Sequence, residues 1–324
     1  MTKRALIVGV LGQDGSYLAD LLLAKGYSVF GMHRPRSAGV DFSNLLPETR
    51  ERVSLVEADI TDSEALHRAI ALAEPDEIYN FAAVSYVPSS WPSVMLTLDT
   101  NALGPTRLFE AVRVMCPKAR VYQASTSEMF GNAAPPQNEM TPMVPVSPYG
   151  VAKLAAHRMA HVYRLSYGLL ISCGICFNHE SPRRGLHFVS RKVARKVAEI
   201  KVGLADKLHL GDITARRDWG FAGDYVEAMW KMLQYPVPDD FVVAQGHSHS
   251  VKDLVVEAFL AIGEDDWTRY VTCEEALVRP TEIRRLVGDA TKAKRILGWV
   301  PTTDFPDLVR LMVEAELEVL RNAS

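Results

Sequence analysis

Ala5-Leu6-Ile7-Val8-Gly9-Val10-Leu11-Gly12-Gln13-Asp14-Gly15-Ser16-Tyr17-Leu18 is the stretch that decides how this chain folds. Its opening apolar run has no polar break and reads as a buried strand ending at Gly9; an amphipathic segment, residues 17–25, follows almost at once. Between them Gly9, Gly12 and Gly15 stand three residues apart. Such spacing permits a tight turn, close approach of backbone to a diphosphate, and a helix N-terminus aimed at negative charge. Three glycines alone also suit an ordinary turn, but a strand before and a helix after supply the context of a dinucleotide site.

The same alternation continues outward. Further β-rich runs end at Met32, Glu57, Phe81 and Ala124, and residues 63–73 and 103–114 between them have helical periodicity. Parallel strands need crossovers, so this pattern predicts an α/β fold: a Rossmann-like doubly wound parallel sheet with helices on both faces. A long helix is expected after Tyr149, then a buried strand over 169–177, a basic helix over 188–202, a strand near Leu208, a helix over 224–233 and a strand over 241–244. Asp304 is placed to cap a last helix whose apolar positions are Leu308, Leu311, Met312, Ala315 and Val319. We expect two domains: residues 1–177 with 207–247 for the cofactor, and a smaller, mainly C-terminal substrate-binding domain of residues 178–206 with 248–324.

Composition narrows the class. The chain has 324 residues, 48% of them hydrophobic, with 36 Lys plus Arg against 39 Asp plus Glu. A net charge of -3 offers no field for nucleic acid or an anionic membrane. Four cysteines are too few for a disulfide scaffold and suit a reducing cytoplasm. No run approaches the roughly 18 apolar residues of a membrane span, and Gln13-Asp14 interrupts the N-terminal run too early for a signal peptide. The expectation is a soluble, cytoplasmic protein.

About twenty residues beyond the glycines an NAD site places an acid on the ribose hydroxyls. Here that position offers His33-Arg34-Pro35-Arg36-Ser37, where Arg34 and Arg36 suit a 2′-phosphate, so NADP is expected rather than NAD; the plain alternative is a solvated basic loop. Asp59 and Ile60, after the third strand, are placed to touch the adenine.

Ser147-Pro148-Tyr149-Gly150-Val151-Ala152-Lys153 sets a Tyr and a Lys four residues apart at a helix start, on one face. An ammonium beside a phenol favours the phenolate, so Tyr149 is expected to have a lowered pKa and to exchange a proton with a substrate hydroxyl, while Lys153 also reaches a nicotinamide ribose. Alone, the pair is weak. It gains weight from Ser125-Thr126-Ser127-Glu128, which follows the strand 121–124 where sheet topology puts ligands.

These segments, with Phe177-Asn178-His179-Glu180-Ser181-Pro182-Arg183-Arg184-Gly185, Arg217-Asp218-Trp219-Gly220 and Arg279-Pro280-Thr281-Glu282, resemble the extended short-chain dehydrogenase/reductases, and most closely the GDP-mannose 4,6-dehydratase family. The resemblance covers nearly the whole chain. It implies a lyase holding a tightly bound, recycled NADP: oxidation at carbon 4 of the mannosyl group, loss of water across carbons 5 and 6, and hydride return to carbon 6. It also implies Thr126, Glu128, Tyr149 and Lys153 as the catalytic set, with Thr126 polarising the 4-oxygen and Glu128 removing the carbon 5 proton. Simple reductases need the Tyr and Lys but no such base, so Glu128 argues for dehydration.

By the same resemblance the cofactor site comprises Gly9, Gly12, Gln13, Asp14, Gly15, Arg34, Arg36, Asp59, Ile60, Ala82, Ala83, His179 and Arg184, with Tyr149 and Lys153. Substrate contacts fall to Ser85, Glu128, Asn178, Val189, Lys192, Arg217, Arg279 and Glu282, whose basic members suit a diphosphate. The family's 34–44 loop helps join dimers into tetramers, so a homodimer or homotetramer is expected. Departures from the family pattern are Leu11 for Thr, Val84 for Gln, Asn101, Pro35 and Arg284. They keep open another GDP-hexose or a GDP-heptose as substrate of a dehydratase, reductase or epimerase; a silent NADP-binding regulatory protein is the alternative of another class.

Two apparent metal motifs are set aside. Cys173 and Cys176 lack a second pair and, three apart on a strand, face opposite sides; His157 and His161 lack a third ligand and read as solvated surface. Arg191, Arg195 and Lys196 suit either a solvated face or the diphosphate.

Overall fold

The structure, a computed structural model, describes residues 2–35, 41–274, 283 and 285–322; Arg36, Arg279, Glu282 and Arg284 lie outside the described residues. The first half alternates as expected: β1 (Arg4–Val8), α1 (Gln13–Ala24), β2 (Ser28–His33), α2 (Pro47–Arg52), β3 (Ser54–Glu57), α3 (Ser63–Ala73) and β4 (Glu77–Asn80). Then come α4 (Val94–Leu98), α5 (Gly104–Met115), β5 (Arg120–Thr126), α6 (Pro148–Tyr167) and β6 (Leu170–Cys176). A π-helical turn, Asp99–Leu103, joins α4 to α5, so the helix expected from residue 103 begins earlier. Its first turns carry exposed Met95 and Leu96, and so give no inward apolar stripe to read.

Beyond β6 the elements shorten: β7 (Asn178–Glu180), α7 (Val189–Lys201), β8 (Leu208–Leu210), β9 (Arg216–Arg217), β10 (Trp219–Phe221), α8 (Ala222–Gln234) and β11 (Asp240–Val243). The chain closes with β12 (His249–Ser250), α9 (Val251–Leu260), β13 (Val271–Cys273), α10 (Thr291–Leu297) and α11 (Phe305–Asn322).

Seven strands form one parallel sheet in the order β11-β6-β5-β4-β1-β2-β3. The order departs in both directions from β1, which leaves a crevice at the carboxyl ends of β1 and β4. One face packs Leu18, Leu22, Met229 and Leu233 from α1 and α8; the other packs Leu66, Phe109, Val112 and Tyr163 from α3, α5 and α6. Cys176 belongs to the first face and Cys173 to the second, as their spacing requires. A separate core gathers Val193, Val197, Leu254, Phe259, Met312 and Val313 from α7, α9 and α11. Leu208, Leu210 and Trp219 pack into this second core, whereas Ala293 and Trp299 pack into the first.

Asp304 does cap α11, accepting from the Asp307 amide at 2.9 Å. The stripe expected on that helix needs correction: Leu311 and Val319 are exposed, and the buried face runs through Leu308, Met312, Glu316 and Leu320. A glutamate on that face disguised it. Glu316, 2% exposed, receives Arg191 Nε at 2.6 Å and Arg195 Nη1 at 3.2 Å, and Glu199 takes Lys196 Nζ at 2.5 Å. These basic residues therefore bind α7 to α11 and to itself.

The two cores are also laced together at the phosphate loop. Gln13 Nε2 donates to His179 O at 3.0 Å, Ser181 Oγ donates to Gln13 Oε1 at 2.9 Å, and His179 Nε2 meets Asp14 Oδ2 at 2.9 Å. Arg183 adds an ion pair to Asp20 at 2.8 Å and lies 4.1 Å from the centre of the Tyr17 ring. Burial opposes ionisation of Asp14, but His179, Gln13 and Arg184 outweigh it and hold the carboxyl at about 2. Burial likewise works against the His179 cation, yet Asp14 raises its pKa above 6.5.

Two stability outcomes follow. Removing the carboxylate in Glu316→Ala leaves two arginines at a buried site and should cost about 2 kcal/mol in urea unfolding, less than the ~3–5 kcal/mol of a fully buried pair because the arginines keep contact with water. Exposed Glu314→Ala should stay within about 0.5 kcal/mol of wild type. For the Asp14–His179 pair, the Asp14 share is present above pH 3.8 and lost as pH falls towards about 2; the His179 share is present below 6.5 and lost as pH rises through its raised pKa. The stability gap between wild type and Asp14→Asn should therefore be widest between pH 3.8 and 6.5; a gap independent of pH would show that the pair is not ionised.

Candidate active site

The phosphate loop owes its shape to two glycines. Gly9 has φ +92°, a left-handed conformation, and any Cβ there would stand 3.1 Å from the Ala82 nitrogen, so the ends of β1 and β4 lie side by side. At Gly15 a Cβ would fall 2.4 Å from Gly9 O, which fixes the close packing of α1 under the loop. Gly12 is the N-cap of α1 and has no side-chain cap, leaving the helix N-terminus open to an anion. Leu11, the apolar departure in this loop, packs against the first core while its carbonyl accepts from Asn44 Nδ2 at 3.0 Å.

The remaining cofactor positions divide. Arg34 is exposed at the carboxyl end of β2, in the place expected for it. Asp59 uses Oδ1 on the amide and hydroxyl of Thr61, at 2.9 and 2.8 Å. Ile60 is 3% exposed and its side chain belongs to the core against Gly104. Ala82 is half-buried, and Ala83 lines the cavity described next.

A cavity of about 350 Å³ opens between the strand ends and the second core. All four residues of the expected catalytic set, Thr126, Glu128, Tyr149 and Lys153, line it. Asp14, His179 and Arg184 from the cofactor set reach it too, as do Ser85, Asn178, Val189, Lys192 and Arg217 from the substrate set. Residues from six separate stretches of chain thus converge on one space.

Ser147 caps α6 by accepting from the Gly150 amide at 3.0 Å, and Pro148 starts the helix, which turns Tyr149 and Lys153 inward. Lys153, 4% exposed, donates to Ala124 O at 3.0 Å and lies 6.0 Å from the centre of the Tyr149 ring. Thr126 ends β5, and its hydroxyl accepts from the Glu128 amide at 3.3 Å, so the turn presents the carboxylate beside the hydroxyl.

One electrostatic expectation is overturned. Tyr149 has a raised pKa: burial dominates, a hydrogen bond from Thr126 works against it, and the charge of Glu128 adds to the rise. Burial also pulls Lys153 down to about 8, against the charges around it. The spacing of the pair was legible, but the desolvation that both share was not.

On the substrate side, Arg217 is buried and held by Ile283 O at 2.7 Å, and Lys192 Nζ donates to His209 O at 2.7 Å. Arg184 pairs with Glu180 at 3.1 Å and covers the Phe188 ring at 3.6 Å. Asp218 accepts from the amides of Gln245, Gly246 and Gly288 at 2.8, 2.9 and 3.1 Å and, pushed up to about 6 by burial, anchors the loop that carries Arg217. His157 corrects another expectation: it is 3% exposed inside the sheet layer, not on the surface. Val84 and Asn101, two departures, prove to be partners, since the Asn101 side chain accepts from Val84 N at 2.8 Å and donates to Val84 O at 3.0 Å. Only contact across seventeen residues of chain could reveal that.

Among the described residues no helix is long and apolar enough to cross a membrane. A family model described as GDP-mannose 4,6 dehydratase matches residues 6–312. GDP-mannose 4,6 dehydratase 2 of Arabidopsis thaliana is 47% identical, over 98% of this chain and 88% of its own length. The human GDP-mannose 4,6 dehydratase is 44% identical, over 98% and 92%. Among solved structures, the Thermus thermophilus UDP-glucose 4-epimerase complex with NAD superposes with a TM-score of 0.84 at 27% identity, over 97% of this chain and 98% of that one. With its glycine loop, its Tyr-Lys pair and its Thr-x-Glu turn gathered on one cavity, the chain belongs to the GDP-mannose 4,6 dehydratase family.

Proposed function

We propose that this protein converts GDP-mannose to GDP-4-keto-6-deoxymannose, with NADP bound throughout the cycle. The observation that carries this reading is Glu128, placed with Thr126, Tyr149 and Lys153 on one cavity. The nicotinamide, when bound, supplies reversible hydride removal and return. Gly9 and Gly15 let the loop pack tightly on itself, and the uncapped N-terminus of α1 at Gly12 is the feature that fits the cofactor's diphosphate. Arg34, with Arg36, would hold the 2′-phosphate.

In this reading Tyr149 takes the proton of the sugar 4-hydroxyl and Thr126 donates to the same oxygen. Its raised resting pKa means that Tyr149 needs the nearby Lys153 cation to ionise when the cavity fills. Glu128 then takes the carbon 5 proton, made acidic by the new ketone, and passes it to the carbon 6 hydroxyl, which leaves as water; the proton held by Tyr149 goes to carbon 5 as carbon 6 is reduced. Arg217 and Lys192, with Asn178, Val189, Ser85 and the outlying Arg279 and Glu282, would hold the GDP group. The cofactor domain would be residues 1–177 with 207–247 and the sugar-nucleotide domain residues 178–206 with 248–324, except that Leu208, Leu210 and Trp219 side with the second core and Ala293 and Trp299 with the first. Exposed Met95, Leu96 and Leu165 support a homo-oligomer, and cysteines without disulfides suit the cytoplasm.

Mass spectrometry of products from a panel of GDP-sugars tests the reading: GDP-mannose should lose one water with no net consumption of cofactor. Glu128→Gln should lower kcat by about 10²–10⁴. Stoichiometric loss of NADPH with a 4-keto sugar as substrate would instead make the protein a reductase. For the cofactor, Arg34→Ser should weaken NADP about tenfold, or ~1.4 kcal/mol, and leave NAD unaffected in a titration; equal weakening of both would remove the basis for NADP.

A further inference from the structure

Helix α6 grips the end of β5 at two successive residues. Lys153, one turn beyond Tyr149, donates to Ala124 O at 3.0 Å; His157, one turn further, meets the Ser125 hydroxyl through Nδ1 at 2.9 Å. Lys153, His157 and Ser125 are all buried. Immediately beyond this double grip come Thr126, the last residue of β5, and the short turn Ser127–Phe130 that bears Glu128. The groups facing one another across the cavity thus ride on two elements, and the grips set the register between them.

The far side of the imidazole is anchored as well. His157 Nε2 lies 3.6 Å from Asp240 Oδ2, and Arg164 Nη2 holds the other carboxylate oxygen at 2.6 Å. His157, Cys173 and Asp240 offer ligand atoms within 4.8 Å of one another, but Arg164 Nη2 stands 3.9 Å from Cys173 Sγ as well, so a guanidinium already supplies the cation there. A carboxylate facing Nε2 favours the tautomer protonated at that nitrogen, which leaves Nδ1 to accept from Ser125. Burial keeps the ring below its ordinary pKa of 6.5 against the pull of Asp240, so it is neutral at pH 7. An apolar side chain would fill this space without desolvating four polar groups; what the network adds is a fixed direction.

We propose that His157 is a positioning residue of the dehydratase: through Ser125 it fixes the end of β5, and with it Thr126 and Glu128, against Tyr149. Although Ser125 lines the cavity, His157 does not. Its effect is therefore on how well the reacting groups are placed, where an error of about 1 Å can cost about 10² in rate. The inference rests on the catalytic assignment of Tyr149, Thr126 and Glu128 given above.

Steady-state kinetics on the full chain with GDP-mannose test it, with NADP affinity measured in parallel. His157→Phe keeps an aromatic ring, slightly larger, without the nitrogens; Ser125→Ala removes the partner, and His157→Asn restores a polar group near the Nδ1 position. Each of the first two should lower kcat about tenfold or more, with KM and NADP affinity within about twofold. The double variant should be no slower than the worse single one, because both break one interaction, and His157→Asn should recover most of the loss. Unchanged kcat in Ser125→Ala and His157→Phe, or losses that multiply in the double variant, would overturn the proposal. Should His157→Phe fail to fold, Ser125→Ala and His157→Asn decide alone. Tyr149→Phe separates the two levels: if it stays active the catalytic assignment is wrong, whereas an inactive Tyr149→Phe beside a normal Ser125→Ala sinks only the positioning role.

Discussion

A parallel strand cannot be reached by a tight turn from its neighbour, so each pair in this sheet needs a crossover, and every strand of the sheet points the same way. All seven carboxyl ends therefore gather at one rim. Gly9 follows β1, Ala82 and Ala83 follow β4, Thr126 ends β5, and β7 begins two residues after β6. The cavity exists because the order reverses beside β1, leaving the rim open there, and because the second core closes over it. The chemistry is thus located by a rule of chain connection before any side chain is chosen.

What the side chains add is polar bonding in places where an ordinary core would be apolar. Gln13, Asp14, His179 and Ser181 join the phosphate loop to β7; Asp218 gathers three backbone amides beneath Arg217; Glu316 receives two arginines of α7. Each buried charge is matched by a partner or by amides, the condition under which burial is tolerable. Directed bonds of this kind hold angles as well as distances. A site that must present a hydroxyl, a carboxylate and a phenol to one sugar needs that constraint more than it needs extra stability.

The same burial changes how the Tyr-Lys pair works. Charge proximity alone argues for an easily ionised phenol, but the closed site penalises both charged forms, raising Tyr149 and pulling Lys153 down to about 8. Proximity and desolvation oppose each other, and here desolvation is the larger effect.

Local sequence determined the seven strands of the main sheet, most helices, the glycine loop and the Tyr149–Lys153 spacing, because period and turn chemistry act over a few residues and require no distant partner; the two- and three-residue strands β7, β9, β10, β12 and β13 are too short to leave such a pattern. Tertiary structure alone decided the rest. It showed which stripe of α11 is buried around Glu316, that Asn101 answers Val84, that His157 is an interior anchor, and that Ile60 packs into the core. Each of these depends on what lies opposite in space. A polar residue on an apolar face, or a histidine on a helix, has the same local signature whether water or a buried partner meets it, and only the folded chain brings that partner within reach.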